Sequence, residues 1–205
     1  MIELKNIHKT FKHRQVLENF SLEVKKGEFV AICGSSGAGK TTILNLIGLL
    51  IKPDQGNVSL FGIENPTERL TQKIRQARLG YIFQNYVLME NETVLENLKI
   101  SKKYNPNWNL EKVNEVLLET GLDESFLSKK VFELSGGEQQ RIAIARVMLK
   151  RCELILADEP TGNLDDENKK LVIHLFKKLK LMGKTIVCVT HDDEMAQAAD
   201  RIVRI

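Results

Sequence analysis

Cysteine is scarce in this 205-residue chain: Cys33, Cys152 and Cys188 form an odd set without metal-ligand spacing. Nothing here supports a disulfide framework or a cysteine metal site, and because Cys33 and Cys188 lie inside apolar runs, buried reduced thiols are expected. Long apolar runs are also missing. The richest stretch, Ile43 to Ile51, is interrupted by Asn45 and Gly48 and falls short of the roughly 18 residues that a membrane-spanning helix needs. The N-terminal Met-Ile-Glu-Leu-Lys-Asn contains no apolar signal region. The chain is therefore expected to be cytoplasmic unless a partner holds it at a membrane. Neither sign of charge dominates: 30 basic residues against 27 acidic ones leave a net charge of +3. Nucleic acid is not expected as a partner, since that needs a concentrated basic face, and the scattered lysine pairs read as solvated surface.

What is present is an ordinary globular composition, 42% hydrophobic and 28% charged, with room for one substantial core. One domain is expected, spanning 1–205, with an inserted lobe. Its organising stretch is Val30 to Thr42, Val-Ala-Ile-Cys-Gly-Ser-Ser-Gly-Ala-Gly-Lys-Thr-Thr. Gly34, Gly39, Lys40 and Thr41 fill the fixed positions of G-x-x-x-x-G-K-[ST], with a strand predicted over Phe29 to Cys33 and a helix over Thr42 to Leu50. With glycine at roughly 7% of residues, these four positions coincide by accident at on the order of one start in thirty thousand, so a plain Gly-rich turn is a poor alternative. The stretch reads as a phosphate-binding loop. Backbone amides from Gly34 through Ser35, Ser36, Gly37, Ala38 and Gly39 to Thr42 can curl around phosphate oxygens, Gly37 permitting close approach. Lys40 supplies a cation, and the Thr41 hydroxyl can ligate Mg2+.

Alternation predicts two antiparallel strands, Met1 to Ile7 and Phe20 to Val24, joined across Lys9 to Asn19. Phe11 in that connection could stack on a base, although an isolated Phe in a strand-turn region is more often a core anchor. Further on, a Pro-Asp turn leads to a short strand, a helical segment over Thr67 to Ala77 and a strand over Leu79 to Phe83 that ends at Gln84. The stretch of about 85–152 has few strand signals and reads as a helical lobe between core segments of about 1–84 and 153–205. It is expected to hold one helix around Thr93 to Lys102 and another over Leu110 to Thr120, with Leu110, Val113, Leu117 and Leu118 at helical spacing. Trp108 in this lobe reads as packing over a loop.

Two later stretches carry chemistry. In Leu-Ser-Gly-Gly-Glu-Gln-Gln-Arg, starting at Leu134, Ser135 and Glu138 have capping-box spacing. This places Ser135, Gly136 and Gly137 at a helix N-terminus, either as a plain cap or as a second anion site. Leu154 to Thr161 is a buried strand closing on adjacent carboxylates: Asp158 is suited to hold Mg2+ through its waters, and Glu159 to accept a proton from an attacking water. After a helix over Asp166 to Met182, the strand Thr185 to Thr190 ends at His191, a position suited to sensing the γ-phosphate. His8, His13 and His174 have no such position. The strand-helix order predicts an α/β fold with a mostly parallel sheet that gathers the loop, Gln84, Asp158, Glu159 and His191 on one edge.

Taken together, these residues resemble the nucleotide-binding subunit of an ABC transporter over nearly the whole chain, Ile2 to Asp200, and most specifically in Leu-Ser-Gly-Gly-Glu-Gln-Gln-Arg. The resemblance implies a P-loop NTPase core, an N-terminal antiparallel β subdomain and a helical lobe carrying the signature. It implies that Gln84 is the Q-loop glutamine at the catalytic metal, Asp158 the Walker B acid, Glu159 the base, Asn163-Leu164-Asp165 the D-loop and His191 the switch histidine. Phe11 falls at the adenine-stacking A-loop, where the family often has Tyr. By the same resemblance the chain is a Mg2+-dependent ATPase that uses ATP, forms a head-to-tail homodimer and docks on an integral membrane permease at the inner face of the membrane. Ser135 and Gly137 then complete the ATP site of the second copy. Ala-Asp-Glu-Pro-Thr-Gly-Asn-Leu-Asp and Tyr-Ile-Phe-Gln-Asn-Tyr are similar to the macrolide-export and lipoprotein-release branch, and Val-Leu-Met-Glu-Asn-Glu-Thr-Val-Leu-Glu-Asn-Leu to ATPases of lactococcin-type bacteriocin export.

Two other classes are open. An ATPase of DNA repair needs a coiled coil or zinc hook between loop and signature, which this chain lacks, and a module that scarcely hydrolyses ATP fits poorly with Glu159 and His191 both present. The alternative kept is a cassette that regulates a membrane partner in cell division or peptide sensing.

Overall fold

The computed structural model describes residues 1–12 and 14–205; His13 lies outside the described residues. Two sheets form the frame. Five strands, β3 (Phe29–Cys33), β6 (Leu79–Ile82), β7 (Leu154–Asp158), β8 (Thr185–Val189) and β9 (Arg201–Arg204), make a parallel sheet in the order β6-β7-β8-β3-β9. Four others, β1 (Ile2–Phe11), β2 (Arg14–Val24), β4 (Gln55–Leu60) and β5 (Ile63–Glu64), make an antiparallel sheet in the order β2-β1-β4-β5.

The strands of the parallel sheet are continuous apolar runs because both faces are covered. Val30, Ile32, Leu154, Leu156, Val187 and Val189 face a core shared with the antiparallel sheet, α1 (Lys40–Ile47) and α2 (Glu68–Ala77). The alternate residues, among them Phe29, Ile155, Ala157, Ile186 and Cys188, face α5 (Gly136–Leu149), α6 (Asp166–Leu181) and α7 (Asp193–Gln197). Between β6 and β7, α3 (Val94–Lys99), α4 (Leu110–Glu119) and α5 enclose a third apolar cluster that contributes no strand to either sheet.

Several expected boundaries shift. The β1–β2 hairpin runs far beyond Ile7 and starts well before Phe20, so the supposed connection is mostly strand. Register shifts after Leu4, Ile7 and Lys9 break the apolar-polar alternation, and a period-two reading loses the strand at each bulge. α1 begins at Lys40 rather than Thr42, because Gly39 serves as its N-cap, and ends at Ile47 with Gly48 as its C-cap. The expected helix around Thr93 to Lys102 stops at Lys99 and tightens into a 3-10 turn over Ile100–Tyr104. In α4 the buried face is Val113, Val116 and Leu117, whereas Leu110 and Leu118 point outward, Leu118 with 67% of its surface exposed. Cys152 and Cys188 are buried as expected, but Cys33 is only half-buried at the end of β3. Trp108 packs against the third cluster, its Nε1 donating to Ser101 Oγ at 3.0 Å.

Candidate active site

The glycine loop turns out of β3 and into α1 at the carboxyl edge of the parallel sheet, where ligand sites of such sheets collect. Gly39, the α1 N-cap, has φ +97°, and a Cβ there would lie 2.9 Å from Val16 Cγ1, so any other residue would be strained and would have to displace Val16. No side chain caps α1, which leaves the amides of its first turn available to an anion. The Lys40 ammonium folds over its own loop, donating to Gly34 O at 2.8 Å and Ser35 O at 2.9 Å. From the hairpin, the Arg14 guanidinium donates to Gly37 O at 3.1 Å.

Opposite the loop, Thr41 Oγ1 donates to Asp158 Oδ1 at 3.4 Å. Burial pushes the Asp158 carboxyl above its ordinary pKa, against the opposing Thr41 hydrogen bond, and no ion pair reaches it among the described residues. A hydroxyl and an uncompensated, partly buried carboxylate facing each other are hard oxygen donors of the kind that hold Mg2+. Glu159 turns out of β7 with φ +46°, a left-handed conformation that an ordinary side chain rarely adopts. Its amide donates to Val189 O at 2.9 Å. Its Oε2 accepts from the His191 backbone N–H at 3.2 Å and lies 2.9 Å from His191 Nδ1. Strand order explains the meeting: β8 lies between β7 and β3, so His191 emerges between the acids and the loop.

Ser36, Gly37, Gly39, Lys40, Thr41, Thr42, Gln84, Asp158, Glu159 and His191 line one cavity of about 400 Å3, together with Arg14, Val16 and Val189. Gly34, Ser35 and Ala38 belong to the same loop but not to the cavity wall. A second cavity of about 380 Å3, between Leu49–Pro53 and α2, is reached by no strand end of the parallel sheet. Phe11 is neither a core anchor nor in the cavity wall. It stands 45% exposed at the end of β1, paired in register with Arg14, and Lys9 Nζ lies 5.4 Å from its ring centroid.

Ser135, Gly136 and Gly137 also lie outside this cavity, at the N-terminus of α5. The capping box is formed: the Glu138 amide donates to Ser135 Oγ at 3.3 Å and the Ser135 amide to Glu138 Oε2 at 2.7 Å. A Cβ on Gly137 would lie 2.5 Å from the Asn168 side chain, whose Oδ1 also accepts from Arg141. His8 and His174 line no part of the cavity.

The sequence reading missed Arg14 and Val16, which reach the loop only through the long hairpin, and the edge strand β9. It also missed Asn168. Arg14 was a lone cation in an assumed connection, and no local pattern marks it.

A phosphate-binding glycine loop at the carboxyl edge of a parallel sheet defines the class as P-loop nucleotide-binding proteins. The chain belongs to the ABC transporter family, whose model matches residues 17–162. Among its relatives, the lipoprotein-releasing system ATP-binding protein LolD of Aquifex aeolicus is 42% identical over 210 residues, covering all of this chain and 93% of that protein. The macrolide export ATP-binding/permease protein MacB of Campylobacter jejuni is 41% identical over 212 residues, covering all of this chain but 33% of that longer protein. The dimeric, post-hydrolysis structure of the ATP-binding cassette MJ0796, a Methanocaldococcus jannaschii protein, bound to ADP and Pi, superposes with a TM-score of 0.91 at 38% identity, covering all of this chain and 94% of that one. These relatives match the macrolide-export and lipoprotein-release branch, and the chain is an ATP-binding ABC ATPase.

Proposed function

We propose that this chain powers an ABC transporter that exports a peptide such as a bacteriocin or acts on a lipid-linked or hydrophobic substrate, as a homodimer docked peripherally on an integral membrane permease at the inner face of the membrane. The observation that carries the hydrolytic part is the meeting of Asp158, Glu159 and His191 with the glycine loop around one cavity. We read residues 1–205 as a single cassette, with 1–84 and 153–205 as the core and 85–152 as the helical lobe.

In this reading the loop amides and Lys40 hold the β- and γ-phosphates of ATP, and Phe11 stacks on the adenine from the hairpin that carries Arg14. Mg2+, held by Thr41 and Asp158 with Gln84 beside it, neutralises phosphate charge when bound. Glu159 accepts the proton of the attacking water. His191 holds the Glu159 carboxylate in place through the contacts at Oε2 and faces the γ-phosphate. Ser135 and Gly137 of a second copy close the site, which agrees with their position outside this chain's own cavity.

For the permease the apolar stretch after Gln84 is the proposed dock. Val87 and Met89 are 50% and 41% exposed, whereas Leu88 packs on the helical cluster and Tyr86 turns its hydroxyl towards Gly136. Val87 and Met89, rather than Tyr86 and Leu88, are therefore the residues to alter. Reconstituting the chain in vesicles with a permease that co-purifies with it tests the whole reading. Phosphate release stimulated by the permease, and further by a peptide or lipid-linked substrate, supports it; hydrolysis indifferent to the permease overturns it.

A further inference from the structure

Two loops behind the cavity are backbone-strained, and both are held by α5. After Gln84, Tyr86 and Val87 adopt φ +61° and +47° in succession. A β-branched residue in the left-handed region is an outlier that persists only when its surroundings enforce it. The turn closes on itself, the Val87 amide donating to Asn85 O at 2.6 Å, and Arg146 clamps it from outside: one guanidinium nitrogen donates to Val87 O at 2.8 Å and another to Tyr86 O at 3.1 Å. Arg146 has no acidic partner among the described residues, and burial lowers its pKa, so this cation is spent on two backbone carbonyls.

The other loop follows Glu159, itself at φ +46°. Pro160 comes next, and its carbonyl accepts from Gln140 Nε2 at 2.8 Å. Gln140 is 1% exposed; the bond to Pro160 satisfies its Nε2, while its Oε1 has no partner among the described residues. The turn closes by the Gly162 amide donating to Glu159 O at 3.1 Å.

Gln140 and Arg146 stand six residues apart on α5, which turns by about 100° per residue, so they address different loops from one rigid body. That body is locked by its capping box and by buried Ile142, Ala143, Ile144 and Ala145. We propose that α5 positions both arms of the site at once, Arg146 setting the loop that carries Gln84 and Gln140 setting the turn that carries Glu159. Both are positioning residues, since neither lines the cavity. A displacement of α5 at its Ser135 end then moves Gln84 and Glu159 together. The inference rests on the roles proposed above for Gln84 and Glu159.

The test uses the full chain with Mg2+ and ATP. Gln140→Met keeps length and removes the donor together with the unpartnered Oε1; leaving the Pro160 carbonyl without this donor should destabilise the protein, though too little to unfold the chain. Arg146→Met removes the fork, and Arg146→Lys keeps a charge but not two parallel donors, and serves if the Met variant does not fold. Each variant is expected to lose roughly 10- to 100-fold in kcat, as misplaced catalytic groups do, with KM for ATP within about twofold of wild type. Amide exchange should rise roughly tenfold at Tyr86 and Val87 in the Arg146 variants and at Gly162 in Gln140→Met, while β3, β7 and β8 keep wild-type protection. Unchanged loop exchange, an unchanged kcat, or a joint loss of kcat, ATP affinity and strand protection overturns the proposal. The exchange readout does not depend on the chemistry: if Glu159→Gln kept full turnover, the base assignment would fall while loop exchange still reported on α5.

Discussion

Glu159 Oε2 lies 2.9 Å from His191 Nδ1 and also accepts the His191 backbone amide, so one carboxylate oxygen is held twice by one residue of the neighbouring strand end. The other oxygen would then be the one to accept a proton from the proposed attacking water. Glu159→Gln preserves shape and removes the proposed base, so turnover should fall roughly 100- to 10,000-fold with ATP binding retained, and an ATP-bound dimer should accumulate. Phosphate release with the membrane partner present, alongside sizing of the ATP-loaded protein, measures both. Full turnover in the variant would remove Glu159 from the chemistry.

Lys40 acts earlier. Its ammonium now satisfies itself on Gly34 O and Ser35 O and is proposed to turn to phosphate. Lys40→Ala should weaken ATP binding itself by about 1.5–3 kcal/mol, the worth of a charge-assisted hydrogen bond. Titration with a fluorescent ATP analogue reads it, and an unaltered dissociation constant would contradict the assignment.

Ser135 sits outside the cavity of its own chain, so its lesion should fall on the other site of a dimer. Mixing Lys40→Ala chains with Ser135→Arg chains should give heterodimers with one doubly damaged site and one intact site. Hydrolysis above that of either variant alone is expected; none, with heterodimers demonstrated, counts against the arrangement or against independent sites.

Docking is tested on the exposed face. Val87→Asp with Met89→Asp should release the chain from membranes carrying the permease while ATP binding stays within about twofold, because neither side chain lines the cavity. Wild-type recovery in the membrane fraction would move the dock elsewhere.

The close approach of α5 to α6 makes a stability prediction. Gly137→Ala forces a Cβ to 2.5 Å from Asn168 and should cost about 1–3 kcal/mol by overpacking. Shortening the neighbour in Gly137→Ala/Asn168→Ala should recover part of it, as read by thermal unfolding. A single variant as stable as wild type would mean that the helices separate at little cost.

Local patterns made much of the site legible. The loop, the acid pair after an apolar strand and the Ser135–Glu138 box are each written within a few consecutive residues, and each forms where its spacing puts it. Bulged β1 and β2 were misread because each bulge reverses the alternation that identifies a strand. Leu118 was misread because a leucine beside the apolar stripe has the same composition as one inside it, and only packing against α5 selects Val113, Val116 and Leu117.

By itself the sequence determined the chemistry: which residues bear phosphate-binding amides, cations, acids and caps, and that strands would alternate with helices. These depend on short-range backbone rules and residue type. The tertiary structure alone decided which of these groups meet. The order β6-β7-β8-β3 brings Gln84, Glu159, His191 and Lys40 together from positions far apart in the chain, the hairpin carries Arg14 over Gly37, and α5 reaches two loops at once. Such contacts arise from burying both faces of one sheet, a condition on the whole chain that no short window of residues contains.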